Sequence, residues 1–276
     1  MEPFLKAVGG KRWISTKLAD EIMATNPNLY VEPFVGGGAV TLALPPSIPK
    51  IVSDINSGYI AVWLALKSYK PEEMLAAIAD VQREYPNTAF GYARARDALN
   101  GYLAAKDNTG VIKLAALVLY INTRCFNGIW RVNQSGEFNV PWNKTNNPRR
   151  FSIGELKSYH EALVSVAIMD SDFRSTLDIV GNRELPKTAI YIDSPYDETF
   201  DGYASGGFDE VDQRDLAKWL RWLSARGAKV WATNADTPLI RELYSSWAKI
   251  EVIDEYHSVG AKANRRGQRQ CLLIRA

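Results

Sequence analysis

Cysteine and histidine are scarce in this sequence. Its 276 residues include two cysteines, Cys125 and Cys271, and two histidines, His160 and His257, which lie far apart along the chain. A disulfide framework is therefore excluded, and a Cys/His zinc cluster is not credible. We expect no metal and a reducing compartment.

The sequence also lacks an excess of either charge and a long apolar run. Lys and Arg number 33 against 31 for Asp and Glu, a formal net charge of +2, so any basic site must be local. The most apolar stretch, residues 114–122, is far shorter than the ~20 residues of a membrane-spanning helix. Residues 1–11 contain no signal-peptide run. We expect a cytoplasmic protein with no membrane partner.

The composition is that of a globular protein, with 46% hydrophobic and 23% charged residues. Short apolar, β-branched runs that end at polar or turn residues predict buried strands. Helical patterns lie between several of them, such as Leu216, Leu220 and Leu223, whose spacing places one apolar stripe against a sheet. This alternation predicts an α/β fold with a mostly parallel sheet and helices on both faces. The predicted strands are residues 29–32, 51–54, 166–169, 189–193, 230–233 and 271–274.

The middle of the chain has a different texture. Residues 59–122 contain only helical patterns, and residues 123–151 are rich in Asn, Gly, Arg and aromatics with little periodicity. We therefore interpret residues 58–150 as a helical insertion. The α/β domain would consist of residues 1–57 and 151–276.

A glycine turn follows the first predicted strand. The segment from Tyr30 to Val40 indicates a strand, then Gly36-Gly37-Gly38, then a helix, and Asp54 ends the next strand eighteen residues after Gly36. Glycines let a backbone approach a ligand closely, and an acid at that point accepts hydrogen bonds from a ribose. The alternative is a tight structural turn with a helix-capping Asp54. A full dinucleotide fingerprint and the end of a phosphate loop are both missing, which favours a nucleoside without pyrophosphate.

A second motif, Asp193-Ser194-Pro195-Tyr196, ends the apolar strand before it. The proline fixes the direction of neighbouring carbonyls, the carboxylate accepts hydrogen bonds, and the ring offers a stacking face. An exocyclic amine on an aromatic base fits this arrangement. Alternatively, the motif is a turn that closes a strand, with Tyr196 as ordinary core packing.

The motifs and their order resemble those of the Dam-type (D12 class, alpha group) DNA adenine-N6 methyltransferases over almost the whole chain. The resemblance implies a Rossmann-like sheet that binds S-adenosyl-L-methionine and a helical target-recognition insertion. It also implies double-stranded DNA as the partner, a monomer, and a bacterial, archaeal or phage source. The motifs are Gly9-Gly10-Lys11, residues 32–38, Asp54-Ile55-Asn56, Asn127-Gly128 with Arg131 and residues 136–141, and Asp193-Ser194-Pro195-Tyr196.

The resemblance implies specific cofactor contacts. Asp54 would hold the ribose hydroxyls, Asp172 and Phe173 would contact the adenine ring, and residues 7–11 would close over the cofactor and reach the DNA. Simpler interpretations make Phe173 a core residue and Lys11 a solvated surface charge. The implied cofactor residues are Ala7, Val8, Gly9, Lys11, Phe34, Gly36, Gly38, Asp54, Ile55, Asp172, Phe173 and Asp193.

The same resemblance implies a catalytic role for residues 193–196. Asp193 and the carbonyl of Ser194 would accept the two N6 hydrogens of a flipped adenine, and Tyr196 would stack on the base. The family most often has proline where this chain has Ser194, so a catalytically weak or inactive DNA-binding relative is one alternative. A methyltransferase acting on RNA or on a protein glutamine is another.

For DNA reading, the resemblance implies that Arg131 reads a guanine and that Ile129 and Pro141 contact thymine. Phe126 and Asn127 would fill the gap left by the flipped base, and the target would be GATC. Two local basic clusters are candidates for phosphate contacts, with a solvated surface as the alternative: Lys144, Arg149 and Arg150, and Lys262, Arg265, Arg266 and Arg269. The DNA residues predicted are Lys6 (outer guanine), Lys11, Arg124, Phe126, Asn127, Ile129, Arg131, Asn133, Pro141, Arg265 and Arg266.

Overall fold

The computed structural model describes most of the chain. The described residues are 1–7, 9–105, 110–183, 185–197, 207–256 and 268–276. The predictions made for Val8, Lys262, Arg265 and Arg266 lie outside them. In these parts of the chain, no helix combines the length and apolarity that crossing a membrane requires.

A seven-stranded sheet forms the centre of the fold, in the order β3-β2-β1-β4-β5-β7-β6. Strands β1 to β5 pair in parallel, whereas β7 runs antiparallel to both β5 and β6. All six predicted strands are confirmed, and the α/β fold class with them. The strands are β1 (Leu29–Glu32), β2 (Lys50–Asp54), β3 (Val166–Asp170), β4 (Thr188–Ile192), β5 (Lys229–Ala235), β6 (Lys249–Tyr256) and β7 (Gln268–Arg275).

Helices cover both faces of the sheet, as predicted. Alternate side chains along a strand point to opposite faces, so Val31 and Ile190 pack in the core of α7, α8 and α9, while Tyr30 and Tyr191 pack against α1. The helices are α1 (Ser15–Ala24), α2 (Ser57–Ser68), α3 (Pro71–Glu84), α4 (Ala89–Ala105), α5 (Val111–Asn122), α6 (Ile153–Ala162), α7 (Phe173–Gly181), α8 (Glu210–Ala225) and α9 (Pro238–Tyr244).

The segment between β2 and β3 is helical, as predicted for residues 59–122. Helix α2 packs against β2 and β3 on one side and against α5 on the other. Every side chain of α5 from Leu114 to Asn122 is buried, which explains why this stretch is apolar without a polar face. Residues 123–151 hold only a short 3-10 turn and two isolated bridges, Cys125 to Trp142 and Val132 to Phe138.

The helix predicted after the glycine turn is wrong. Residues 39–48 form successive turns, in which Leu42 N donates to Gly38 O and Leu44 N to Val40 O. Pro45 and Pro46 follow at once, and a proline disfavours the helical conformation of the residue before it. The chain therefore returns to β2 after a single turn-rich segment.

Candidate active site

The sheet reverses its order between β1 and β4, because β2 and β3 extend to one side and β5 to the other. In open α/β sheets, ligands bind outside the carboxyl ends of the strands at such a point. Strand β1 ends at Glu32 and leads to Phe34, and β4 ends at Ile192 and leads to Asp193. The topology thus brings the two sequence motifs to one crevice.

The glycine turn after β1 is fixed from two sides. Gly36 and Gly38 have positive φ angles of 46° and 64°, a conformation that side chains disfavour. A Cβ on Gly38 would lie 2.3 Å from the ring of Trp63, whose Nε1 donates a 2.9 Å hydrogen bond to Gly36 O. Gly36 N in turn donates to Asp54 Oδ2 at 2.8 Å. The turn therefore needs glycine for both conformation and space.

Asp54 lies at the end of β2 and supports this turn. Its Oδ1 accepts from Asn56 N at 2.9 Å, and burial raises the pKa of its carboxyl to about 6. The helix-capping alternative is wrong, because Asn56 is the residue whose side chain caps α2. A carboxylate has about four acceptor positions, so Asp54 retains capacity for ribose hydroxyls. The neighbouring Ile55 is exposed.

Three phenylalanines cluster beside the turn. Phe34 stacks on Phe173 with ring centroids 5.4 Å apart, and Phe208 meets both rings at 5.7 and 5.8 Å. Phe173 is 2% exposed and belongs to the core, whereas Phe34 and Phe208 are half-buried. Asp172 caps α7 by accepting from Arg174 N at 2.8 Å. Sequence reasoning missed Phe208, which follows a segment without recognisable periodicity.

Asp193 is held by a lysine and a threonine. Lys11 Nζ lies 2.9 Å from Asp193 Oδ1 and 4.8 Å from the ring centroid of Tyr196, and Thr233 Oγ1 donates to the same Oδ1 at 2.9 Å. Lys11 is 3% exposed, so its interpretation as a solvated surface charge is wrong. Ala7 and Gly9 belong to the same segment, and Ala7 Cβ would lie 3.8 to 4.0 Å from a Cβ placed on Gly37 or Gly36. The amino-terminal segment therefore spans from the glycine turn to Asp193.

The loop after Asp193 is held by side chains that were not predicted from the sequence. Gln213 Nε2 donates to Pro195 O at 2.9 Å, Asn234 Oδ1 accepts from Asp197 N at 2.9 Å, and Asn234 Nδ2 donates to Gln213 Oε1 at 3.1 Å. Asn234 had one available signal, the change from apolar to polar residues at the end of β5, and Gln213 on α8 had none. This network holds residues 193–197 in one geometry.

A second carboxyl, Glu32, is buried close to Asp193. It accepts hydrogen bonds from Tyr30 OH at 2.8 Å and Thr41 N at 3.1 Å. Burial, with Asp193 nearby, raises its pKa to about 8, so Glu32 is mostly protonated at neutral pH. Asp193 is the more accessible carboxyl of the two, with its side chain 21% exposed against 3% for Glu32.

The predicted DNA-reading segment lies against the amino-terminal segment. Asn122 Oδ1 accepts from Lys6 N at 2.9 Å, and its Nδ2 donates to Lys6 O at 2.8 Å and Gly128 O at 3.3 Å. Asn127 has a φ of +56°, which asparagine tolerates, and Phe126 is 43% exposed. Asn122 therefore joins Lys6 to the turn at Phe126 and Asn127, and sequence reasoning missed it.

Arg131 is presented on a small hairpin. Its Nε donates to Asn139 Oδ1 at 2.7 Å, which orients an exposed guanidinium. Asn133 instead serves the hairpin itself, since its Oδ1 accepts from Ser135 N and Glu137 N and its Nδ2 donates to Glu137 Oε2. Pro141 is exposed and Ile129 half-buried.

Two arginines of the predicted DNA surface face inward. Arg124 is 5% exposed, with its Cζ 3.9 Å from the ring centroid of Tyr120. Arg149 donates to Pro3 O at 3.0 Å and to Tyr159 OH at 3.0 Å, and pairs with Glu155. Arg149 thus fastens the amino-terminal segment to α6. No group of three His, Cys, Asp or Glu residues suited to a metal ion occurs among the described residues.

These features define the class of the protein. A doubly wound sheet carries a glycine turn, an acid with free acceptor positions, and an aromatic cluster at its switch point, which suits the adenosine of a nucleoside cofactor. The protein is a Rossmann-like methyltransferase that uses S-adenosyl-L-methionine. More specifically, the chain belongs to the D12 class N6 adenine-specific DNA methyltransferase family, whose model matches residues 8–259.

Characterised relatives cover nearly the full chain. The Type II methyltransferase M.MjaIII of Methanocaldococcus jannaschii is 30% identical, covering 96% of this chain and 95% of its own. The retron Ec67 DNA adenine methylase of Escherichia coli is 33% identical over 95% of this chain and 87% of its own. The DNA adenine methylase of Escherichia coli K12 is 30% identical, and the alignment covers 95% of this chain and 91% of that protein. A solved putative O-methyltransferase from Klebsiella pneumoniae aligns with 94% of this chain and 78% of its own, at 10% identity and a TM-score of 0.42.

Proposed function

We propose that this enzyme methylates the N6 amine of a flipped-out adenine within GATC in duplex DNA. The observation that carries the proposal is the loop of residues 193–197, which is held at the switch point by Thr233, Asn234 and Gln213. A rigid acceptor pair next to an aromatic face suits a planar base with an exocyclic amine. Such an amine is out of reach inside the base stack, so the base must leave the duplex.

The proposed chemistry uses few groups. When bound, S-adenosyl-L-methionine supplies an electrophilic methyl group. Asp193 and the carbonyl of Ser194 accept the two amine hydrogens, which localises the nitrogen lone pair and orients it for in-line attack. Phe34, Asp54 and the glycine turn would hold the cofactor, and Tyr196 would stack on the target base.

Lys11 contacts the two groups that would bind the adenine. Its ammonium contacts the Asp193 carboxylate and lies over the Tyr196 ring, the same two groups that would receive the adenine amine and ring. We infer that Lys11 gives up part of these contacts when the base enters. Its charge then remains next to the site and reaches the DNA.

DNA reading is proposed to use the surface that Asn122 ties to the amino-terminal segment. Phe126 and Asn127 would fill the gap in the stack, Arg131 would read guanine, Ile129 and Pro141 would contact thymine, and Lys6 would contact the outer guanine. Support comes from the exposed guanidinium that Asn139 orients and from the exposed ring of Phe126. Arg124 and Asn133 receive no base contact here, because the fold uses their side chains. We also propose that residues 58–150 form the target-recognition region, that residues 1–57 and 151–276 form the catalytic domain, and that the enzyme acts as a monomer.

The direct test incubates the purified protein with labelled S-adenosyl-L-methionine and unmethylated duplex DNA, and maps the product. We expect N6-methyladenine confined to GATC. The same product at other adenines would keep the reaction and discard the proposed base contacts. Methylated RNA or glutamine without methylated DNA would contradict the proposal.

Cofactor affinity should fall at low pH because of Asp54. The pKa of its buried carboxyl is raised to about 6, and protonation removes an acceptor position from a group that already accepts from Gly36 N and Asn56 N. We expect S-adenosyl-L-methionine to bind roughly fourfold more weakly at about pH 5.5 than at about pH 7.5. Calorimetry measures this without turnover. In Asp54→Asn the binding should be weak at both pH values, and an unchanged pH dependence in that variant would disprove the role.

Ser194 tests the alternative of a weakly active relative. The Ser194 side chain is buried, and its Oγ has no hydrogen-bond partner among the described residues. Pro195 restricts the preceding residue to extended conformations, so the Ser194 carbonyl keeps its direction without a second proline. We expect Ser194→Pro to change kcat by less than about threefold. An increase of about 100-fold would instead show that the native sequence is catalytically impaired.

A further inference from the structure

The side chain of Asn122, at the end of α5, joins two backbone segments. Its Oδ1 accepts from Lys6 N at 2.9 Å, and its Nδ2 donates to Lys6 O at 2.8 Å and to Gly128 O at 3.3 Å. The first two bonds reproduce the exchange of N–H and C=O that a paired β-strand residue offers. A side-chain amide is the neutral group that supplies one acceptor and two donors, so all of Asn122 is used, and it is 4% exposed.

The same two segments also touch directly. Gly128 has a positive φ of 67°, and a Cβ placed on it would lie 2.5 Å from Lys6 Cβ. The turn that contains Gly128 is closed by its own backbone, since Gly128 N donates to Cys125 O at 3.3 Å and Ile129 N to Phe126 O at 3.2 Å. Asn122 and the glycine together fix the separation between Lys6 and this turn.

The side chains that these segments carry are accessible. Lys6 is exposed, and Phe126 is 43% exposed, whereas the backbone groups bonded to Asn122 belong to the interior. Two groups that contact neighbouring base pairs need one fixed spacing, because freedom between them costs entropy on binding and allows a wrong base to be accommodated.

The residues before Lys6 are held by other contacts. Phe4 is 1% exposed and its ring centroid lies 4.8 Å from that of Trp63, and Pro3 O accepts from Arg149 Nη1 at 3.0 Å. Loss of the amide at the end of α5 should therefore release Lys6 while the rest of the amino-terminal segment and the cofactor crevice stay in place.

We propose that Asn122 is a positioning residue for sequence recognition. It sets the register between Lys6 and the turn at Phe126 and Asn127, and so determines selectivity at the base pair that Lys6 contacts. The inference rests on the proposed function, in which Lys6 contacts the outer guanine while Phe126 and Asn127 fill the gap left by the flipped base. Asn122 is buried and acts through Lys6.

The test is a double-variant cycle of Lys6→Ala and Asn122→Ala. The measured quantity is kcat/KM for a GATC duplex divided by kcat/KM for a duplex changed at the outer guanine. We expect Lys6→Ala to lower this ratio by about tenfold and Asn122→Ala to lower it by about five- to tenfold, since both remove one fixed base contact. The double variant should equal Lys6→Ala alone, because the two residues act as one unit.

Asn100→Ala is the matched control. Asn100 on α4 pairs in the same way with the backbone of Phe138, accepting from its N at 2.8 Å and donating to its O at 3.1 Å. This variant loses an equivalent pair of bonds in the same insertion and should leave the ratio at the outer guanine unchanged.

Two further measurements separate positioning from loss of the fold. Asn122→Asp keeps the size of the side chain, loses both donors when ionised, and carries the test if Asn122→Ala does not fold. It should lower the same ratio. Calorimetry should give S-adenosyl-L-methionine affinities within about twofold of the native value for every variant, because the crevice is held independently.

The outcomes distinguish this inference from the proposed function. Additive losses in the cycle, or a loss that Asn100→Ala reproduces, would overturn the inference and leave the reaction in place. If the native protein methylates a target other than GATC, the cycle is run at each base pair of that target, and effects of Lys6→Ala and Asn122→Ala at different base pairs would overturn the inference. No adenine methylation by the native protein would overturn the proposed function and the inference with it.

Discussion

Replacing Asp193 with alanine is expected to lower kcat by about 1,000-fold or more, because the adenine amine loses its charged acceptor. The remaining acceptor, the Ser194 carbonyl, can bind only one of the two amine hydrogens. The other carboxyl nearby cannot substitute, since Glu32 is buried and already accepts hydrogen bonds from Tyr30 and Thr41. Single-turnover methylation of a GATC duplex measures the effect on the chemical step directly.

The design must separate chemistry from folding. Asp193→Ala leaves Lys11 buried without its carboxylate partner, which costs stability. The double variant Asp193→Ala with Lys11→Met removes both charges together. We expect both variants to bind S-adenosyl-L-methionine more weakly than the native protein but within about tenfold of it, and both to lack turnover. Turnover near the native rate in either variant would exclude Asp193 as the acceptor.

The fold was predictable where one pattern determined the structure. Buried parallel strands are short apolar runs. Five of the six predicted strands are parallel, and the sixth, β7, is an apolar strand that pairs with the parallel strand β5. Strand β6 was missed because it is an edge strand in which Glu251 and Asp254 interrupt the apolar residues, a composition typical of protected sheet edges. The helix after Gly38 was predicted from the usual strand-turn-helix order, but Pro45 and Pro46 leave too few residues for it.

The candidate site also contains residues that the sequence predicts and residues that only the tertiary fold reveals. Asp54 and Asp193 are found in sequence because Asp54 is the last residue of the apolar strand β2 and Asp193 directly follows the apolar strand β4. Their supports come from distant segments: Lys11 precedes the sheet, Thr233 ends β5, and Gln213 lies on α8. Only the tertiary fold places these residues around the motif, since no local pattern links residue 11 to residue 193. Burial likewise cannot be seen in sequence, which is why Lys11 was open to interpretation as a solvated surface charge and Arg124 was predicted to contact DNA.

Arg131 is expected to control sequence discrimination. A bidentate contact to guanine contributes about 1–3 kcal/mol, so Arg131→Ala should lower kcat/KM at GATC by about 10- to 100-fold and lower it much less at sites altered at that guanine. Asn139 orients the guanidinium through its Oδ1. Asn139→Ala should therefore give a smaller loss of the same kind.

Comparing duplexes of different sequence distinguishes a base contact by Arg131 from a phosphate contact. If Arg131 contacted a phosphate, its loss would weaken all duplexes alike and reduce the salt slope by about 0.9. A base contact instead changes the ratio between duplexes and leaves that slope nearly intact. The control is Arg221→Ala, at an exposed arginine on α8, which should alter neither quantity. A uniform loss for Arg131→Ala would therefore contradict the proposed role of this surface in reading the DNA sequence.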